Sequence, residues 1–385
     1  MIKRTLSTKI QQLSEKFPIV TVTGPRQSGK STLLRSQFPD YRYVSLENLD
    51  MREFASRDPH GFLATYDRHV IIDEAERAPS LFSYLQTHVD EANESGMYML
   101  AGSRNFHLME AIDQSLAGRT AVLKLLPFSR LELHDAGALP SSINDQIFTG
   151  FYPRIYDKDI APTDYYPSYI STYVERDVRT ILKVTDLNRF TRFIRLCAGR
   201  IGQLLNMSAL ATEAGVSKPT IESWLSVLEA SYILYRLEPN FNNYNKRIVK
   251  TPKLYFYDTG LACSLLGITS SEQLDSHFLR GGLFENMVVN QFIKQALNAG
   301  IKPDLTFWRD SAGLEVDLIR TNGLTQSAYE IKSGSTFHPD YFKGLQKWSQ
   351  LSGTPPENLA VIYGGSTPLH TSYGAVLPLP SQFSF

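Results

Sequence analysis

Apolar and polar positions follow different periods in different parts of the chain. Short, nearly unbroken apolar runs fall at Pro18-Ile19-Val20-Thr21-Val22-Thr23, at His69-Val70-Ile71-Ile72-Asp73-Glu74 and at Met97-Tyr98-Met99-Leu100-Ala101. Runs of this kind predict strands buried on both faces, as in a parallel sheet covered by helices. The first run leads through a glycine-bearing turn into residues 32–38, which read as a helix. A connector over 141–190 carries Pro153, Pro162 and Pro167, with helices expected around 166–183 and near 189–199. Residues 208–214 predict a short helix, Gly215-Val216-Ser217 a tight turn, and 218–229 a second helix with Pro219 in its first turn, where no N–H is missed. Strands are expected at 232–237 and within 246–257, on either side of a polar loop. In the last third, 283–292 reads as an amphipathic helix and 305–309 as a strand. Residues 314–319 and 328–332 alternate like two half-buried strands, with Asn322-Gly323 suited to the turn between them. The run Val361-Ile362-Tyr363-Gly364-Gly365 is expected to finish that sheet.

A chain of 385 residues exceeds what one compact core accommodates, so two or three domains are expected. The pattern divides it at 1–160, 161–270 and 271–385. Lys plus Arg number 39 and Asp plus Glu number 39, so net charge favours no partner class and any nucleic-acid contact must come from local patches. Cys197 and Cys263 form no CxxC pair, and the eight histidines show no zinc-ligand spacing. A reducing compartment follows, and the cytoplasm by elimination, because the N-terminus lacks an apolar h-region and no apolar run is long enough to span a membrane.

The stretch Gly24-Pro25-Arg26-Gln27-Ser28-Gly29-Lys30-Ser31 fits G-x-x-x-x-G-K-S, with Thr32 following. Glycines let backbone N–H groups turn inward around phosphates, a lysine reaches the terminal phosphates, and a hydroxyl binds magnesium. The following helix adds its positive N-terminus. ATP and Mg are therefore the expected ligands. Downstream, Asp73 is expected beside the magnesium and Glu74 to orient and activate the attacking water. Ser103, at the end of the next strand, is placed to touch the γ-phosphate or that water. Arg119, after the small-residue turn Ser115-Leu116-Ala117-Gly118, is a candidate to compensate transition-state charge, in cis or from a neighbouring subunit of a homo-oligomer.

GPRQSGKSTLL, VIIDEA, LAGS, SLAGR, LLPFSRLEL and YISTYVERDVR together resemble the AAA-type ATPases of bacteria and archaea that carry a C-terminal domain of unknown function. The likeness runs over nearly the whole chain. It implies an ATPase core with an additional strand between the phosphate-loop strand and the Asp-Glu strand. It also implies roles for Arg119 and for the arginines of Tyr173-Val174-Glu175-Arg176-Asp177-Val178-Arg179, Arg176 among them.

Two further constellations carry chemistry. The middle segment reads as a helix-turn-helix followed by a wing. Lys246, Arg247, Lys250 and Lys253, with Tyr244, Tyr255 and Tyr257, make that wing basic and aromatic, as phosphate contact and base stacking require. Its second helix, with Glu222, Glu229 and only Lys218 as a cation, suits a protein partner equally well. In the last third, Glu315 shares a strand face with Asp317, and Glu330 with Lys332. If the two strands form a hairpin, Asp317 comes beside Glu330 and Lys332, and Glu285 can complete a divalent-ion site with a lysine for the attacking water. Asp…Glu-x-Lys resembles the restriction-endonuclease-like PD-(D/E)xK superfamily, although Val316 stands where a proline is usual.

The fold class expected is α/β, with a P-loop AAA-type ATPase core, a winged-helix middle segment and a restriction-endonuclease-like α/β C-terminal domain. Two functions fit: an ATP-driven nucleic-acid-processing enzyme, or an ATP-dependent switch or scaffold that binds a protein partner through the winged helix and an inactive nuclease-like domain.

Overall fold

The computed structural model describes residues 2–103, 112–178, 187–240 and 249–380, with the side chains of 113 and 175–178 outside that description. Its first sheet has five parallel strands: β1 (Ile19–Thr23), β2 (Arg42–Ser45), β3 (Val70–Asp73), β4 (Tyr98–Gly102) and β5 (Thr120–Lys124). Their order is β2-β3-β4-β1-β5. The strand between the phosphate-loop strand β1 and the Asp-Glu strand β3 is thus β4, in the position the family resemblance implies. Burial explains the sequence pattern. β1, β3 and β4 are inside on both faces, so every position is apolar, small or hydrogen-bonded. β5, at the edge, alternates between buried and partly or fully exposed positions.

The turn after β1 needs glycine at two points. A Cβ on Gly24 would lie 2.1 Å from the carbonyl oxygen of Leu125, and its φ is +152°. Gly29 takes φ +92° as the N-cap of the helix Lys30–Gln37. That helix begins two residues before the expected start, so Lys30 and Ser31 lie in its first turn.

From Leu126 to Leu379 one continuous apolar cluster joins the connector helices, the middle segment and one face of the C-terminal sheet. The packing of the five-stranded sheet, by contrast, is in two separate clusters on its two faces. The helix expected over 166–183 is Pro162–Tyr169 followed by a wider, π-type stretch, Ile170–Val178. Pro167 sits inside the first part, and Tyr165, Tyr166, Tyr169 and Tyr173 turn inward. In the middle segment Asn206 caps the helix Met207–Ala214, Gly215 ends it, and Ser217 caps the helix Lys218–Ala230. The antiparallel pair β6 (Leu234–Leu237) and β7 (Lys253–Phe256) follows.

The C-terminal sheet contains β8 (Leu305–Arg309), β9 (Glu315–Asn322), β10 (Thr325–Lys332), β11 (Leu359–Tyr363), β12 (Leu369–Thr371) and β13 (Gly374–Pro378), in the order β12-β13-β11-β10-β9-β8. β9 and β10 do form the hairpin, with Asn322 opposite Thr325. The helix Lys343–Ser352 covers one face through Trp348, and the helix Arg280–Asn298 lies on the other side with Phe292 against Tyr329. No helix among the described residues is long and apolar enough to cross a membrane.

Candidate nucleotide site and carboxylate centre

The C-terminal ends of β1, β3 and β4 bring the phosphate loop, Asp73, Glu74 and Ser103 together. Lys30 is buried, and its Nζ donates to the carbonyl oxygens of Gly24 at 3.0 Å and Pro25 at 2.9 Å. Burial draws its pKa below the ordinary lysine value, against the fields of Glu74, Asp73 and Glu76. Ser31 Oγ donates to Asp73 Oδ2 at 2.7 Å. This hydroxyl–carboxylate pair is the donor set a magnesium ion takes in a phosphate-loop enzyme, so the residues present fit that ion. The loop is braced from behind by Arg4, which donates to the carbonyl oxygens of Ser28 at 2.8 Å and Leu126 at 2.6 Å and pairs with Glu132. Arg26 lies over the Tyr173 ring, 5.5 Å from its centroid.

Glu74 adopts a left-handed backbone, φ 52° and ψ 42°, uncommon for a residue with a Cβ. Ser103 Oγ is 3.1 Å from both Glu74 carboxylate oxygens. Ser103 therefore meets the carboxylate expected to act on water, a closer relation than the sequence suggested.

Three features of the site carry no signal in the local sequence. Tyr43 Oη donates to Asp73 Oδ2 at 2.8 Å, and burial together with that carboxylate pushes its pKa up to about 12. Glu76, which is buried, accepts from the Ser103 N–H at 3.2 Å. A cleft of about 800 Å³ runs along the helix Lys30–Gln37, lined by Gln27, Gly29 and Thr32 on one side and by Ile2, Phe128 and Tyr156 on the other. Its walls join residues more than 100 positions apart, which no local pattern reveals.

Arg119, a candidate in cis or from a neighbouring subunit, lies away from the phosphate loop of its own chain. Its carbonyl accepts from the N–H of Ile19, the first residue of β1, whereas the phosphate loop follows Thr23, the last. Four residue steps of a strand separate them, about 13 Å. The side chain instead forms two hydrogen bonds with Asp90, at 2.6 and 2.7 Å. The side chain of Arg176 lies outside the described residues.

The C-terminal residues converge as the hairpin requires. Lys332 Nζ is 2.5 Å from Glu330 and 3.4 Å from Asp317, and the Ile331 N–H donates to Asp317 Oδ2 at 2.8 Å. Glu285, Glu315 and Asp317 bring carboxylate oxygens within 4.8 Å of one another. Into this group projects Lys253. The sequence places it on an exposed basic wing; it is in fact 2% exposed, ion-paired with Glu285 at 2.8 Å, Asp317 at 3.5 Å and Glu315. Burial opposes its charge, and the carboxylates outweigh it, holding its pKa well above the ordinary lysine value. Burial likewise opposes ionisation of Asp317, but Lys253, Lys332 and the Ile331 N–H hold its carboxyl below the usual range. Burial, with Asp317 nearby, pushes Glu330 up to about 8. A divalent ion does not fit this centre as built, because an ammonium already stands among the oxygens that would bind it. Tyr255, expected on the same wing, is buried with its hydroxyl 2.5 Å from Glu285. Lys246, Arg247 and Tyr244 lie outside the described residues. Glu222 and Glu229 of the second middle helix both pair with Arg236.

Residues 16–134 match the model of an AAA domain, 140–272 a domain of unknown function (DUF8612), and 280–382 a second domain of unknown function (DUF4143). The chain is 30% identical over 373 residues to the uncharacterized proteins Rv2008c of Mycobacterium tuberculosis and Mb2031c of Mycobacterium bovis, covering 94% of this chain and 80% of each of those. Among solved structures, the Walker-type ATPase PABY2304 of Pyrococcus abyssi is similar with 14% identity and a TM-score of 0.43, over 69% of this chain and 96% of that one, a likeness too loose to add weight. The chain thus belongs to the family of these mycobacterial proteins, and the sheet that bears its phosphate loop is an AAA-type ATPase domain.

Proposed function

We propose that this protein binds MgATP on the loop from Gly24 to Thr32 and hydrolyses it. The observation that carries the reading is the convergence of Lys30, the Ser31–Asp73 pair and the Ser103-held Glu74 at one end of a single sheet. Lys30 would exchange the two loop carbonyls for the terminal phosphates, and the loop amides would hold the rest of the chain of phosphates. Ser31 and Asp73 would hold magnesium, which when bound neutralises charge on the phosphate oxygens. Glu74 would take the proton of the attacking water, with Ser103 fixing its carboxylate. The cleft beside Thr32 offers Phe128 and Tyr156 to a base and is the natural seat for the nucleoside. Arg119 would act in trans, released from Asp90 when a second copy approaches.

The output of hydrolysis has two readings, nucleic-acid processing and an ATP-dependent switch that binds a protein partner. One observation favours the switch: Lys253 is withdrawn from the basic wing into the carboxylate centre. The helix-turn-helix and the β6–β7 pair still support a winged-helix module, which serves protein contacts as well as DNA. Steady-state ATP hydrolysis, with and without single- and double-stranded DNA at fixed low salt, tests both. Slow hydrolysis indifferent to DNA is expected; stimulation by DNA would restore the nucleic-acid reading, and no hydrolysis at all would remove the enzyme assignment.

A further inference from the structure

None of the residues of the carboxylate centre belongs to the phosphate loop. The centre draws on three separate pieces of chain: Lys253 on β7, Glu285 on the helix Arg280–Asn298, and Glu315 and Asp317 on β9. An ammonium has three N–H donors, and Lys253 faces three carboxylates. Each carboxylate is also held by a further group. Tyr255 Oη donates to Glu285 at 2.5 Å, Arg309 pairs with Glu315 at 2.9 Å, and the Ile331 N–H donates to Asp317 at 2.8 Å. A divalent ion needs oxygens at roughly 2.0–2.6 Å on several sides, and the space where these oxygens converge is taken by Nζ. Two like charges cannot share it.

The backbone that carries Lys253 is fixed on both sides. Leu254 next to it donates to the carbonyl of Gln203 and accepts from the N–H of Gly202, and the Leu205 N–H donates to the carbonyl of Pro252. On the other edge β7 is paired with β6 from Leu234 to Leu237. The lysine nitrogen lies 5.5 Å from the centroid of the Phe307 ring, which shields it further from water.

We infer that the ammonium of Lys253 is the resident cation of this centre, so that the carboxylates clamp β7 to the C-terminal domain and hold no divalent metal. The centre is a structural joint built on the residues of a metal site. Removing the lysine would turn it into a metal site.

Mn²⁺ binding to the full-length protein without nucleotide, read by electron paramagnetic resonance of the free ion, tests this. Wild type and Asp317→Asn are expected to bind the same number of Mn²⁺ ions, since any ion near Asp73 is common to both. Lys253→Met is expected to bind one more per chain, and adding Asp317→Asn to it should abolish the gain. Lys253→Met leaves three carboxylates facing one another, so Lys253→Met/Glu315→Gln, which removes one charge of each sign, is measured beside it with the same expectation. The inference is overturned if wild type binds one ion more than Asp317→Asn, a comparison that needs neither lysine variant to fold. It is equally overturned if a folded Lys253 variant gains no ion. Because the readout is independent of ATP turnover, failure here leaves the nucleotide reading standing, and failure of that reading leaves this one.

Discussion

Thr23 Oγ1 and Tyr232 Oη lie 3.3 Å apart, joining the last residue of the phosphate-loop strand to the residue that leads from the middle helix into β6. Tyr232 is buried, with φ +56° and its ring edge-on to Tyr257, and burial pushes its pKa up to about 12. β6 pairs with β7, and β7 carries Lys253, so direct contacts run from the nucleotide loop to the carboxylate centre. Tyr232→Phe keeps the ring and deletes this one buried hydrogen bond. A loss of about 1 kcal/mol in unfolding free energy is expected from urea denaturation at an unchanged m-value. An unchanged midpoint would mean that the contact carries no net stability.

At the nucleotide site the roles separate by experiment. Lys30→Ala should abolish the rise in Tm that MgATP produces, because the phosphates lose their cation. Glu74→Gln should keep that rise and lower kcat by about 100-fold or more, the usual scale for a lost general base. Ser103→Ala, which frees the Glu74 carboxylate without removing it, should fall between wild type and Glu74→Gln in kcat and leave nucleotide binding intact. Native turnover by Glu74→Gln would remove the general-base assignment.

Arg119 stands at the far end of β1 from its own phosphate loop, so the proposed role in turnover is expected to be exerted on a neighbour. Arg119→Ala alone and Lys30→Ala alone should each be nearly inactive. Mixed together, they should recover part of the wild-type rate, since one chain then offers the intact loop and the other the arginine. Mixtures no more active than their components, in a preparation whose subunits demonstrably mix, would exclude the trans role.

A fourth test concerns Lys294, buried in the helix Arg280–Asn298 with its Nζ 2.8 Å from the Phe128 carbonyl and 4.3 Å from the centroid of the Phe151 ring. Burial lowers its pKa to about 8, against Asp258 and Glu132 and with Arg4 adding to the effect of burial. Unfolding restores the ordinary lysine value of 10.5. Between those two values the unfolded chain binds the extra proton, so this residue's contribution makes the fold more stable as pH rises from about 8 and is least favourable below it. The gap between the folded and unfolded values corresponds to about 3 kcal/mol. Lys294→Met should therefore gain on wild type at pH 7 and lose most of that advantage by about pH 10. Urea midpoints for both proteins at the two pH values give the comparison, and a difference independent of pH would refute it.

What the sequence determined by itself is local. Gly24 and Gly29 are required by backbone angles within one turn, and the buried strands β1, β3 and β4 announce themselves because both their faces are apolar. The helix-turn-helix boundaries follow from caps that lie within a few residues of what they cap, and the β9–β10 hairpin from period two and Asn322-Gly323. What the tertiary structure decided is where charges go. A lysine in a basic, aromatic stretch reads as a surface cation, because sequence windows sum neighbours in the chain. Lys253 finds its partners 32 to 64 residues away on another helix and another sheet, and its burial depends on their being there. The same holds for Arg119. Its small-residue turn is visible in sequence, but which end of the sheet it occupies is fixed only when β5 aligns in parallel with β1. Charge pairing acts through space at a few ångströms, and a linear pattern carries that information only when the partners are also neighbours along the chain.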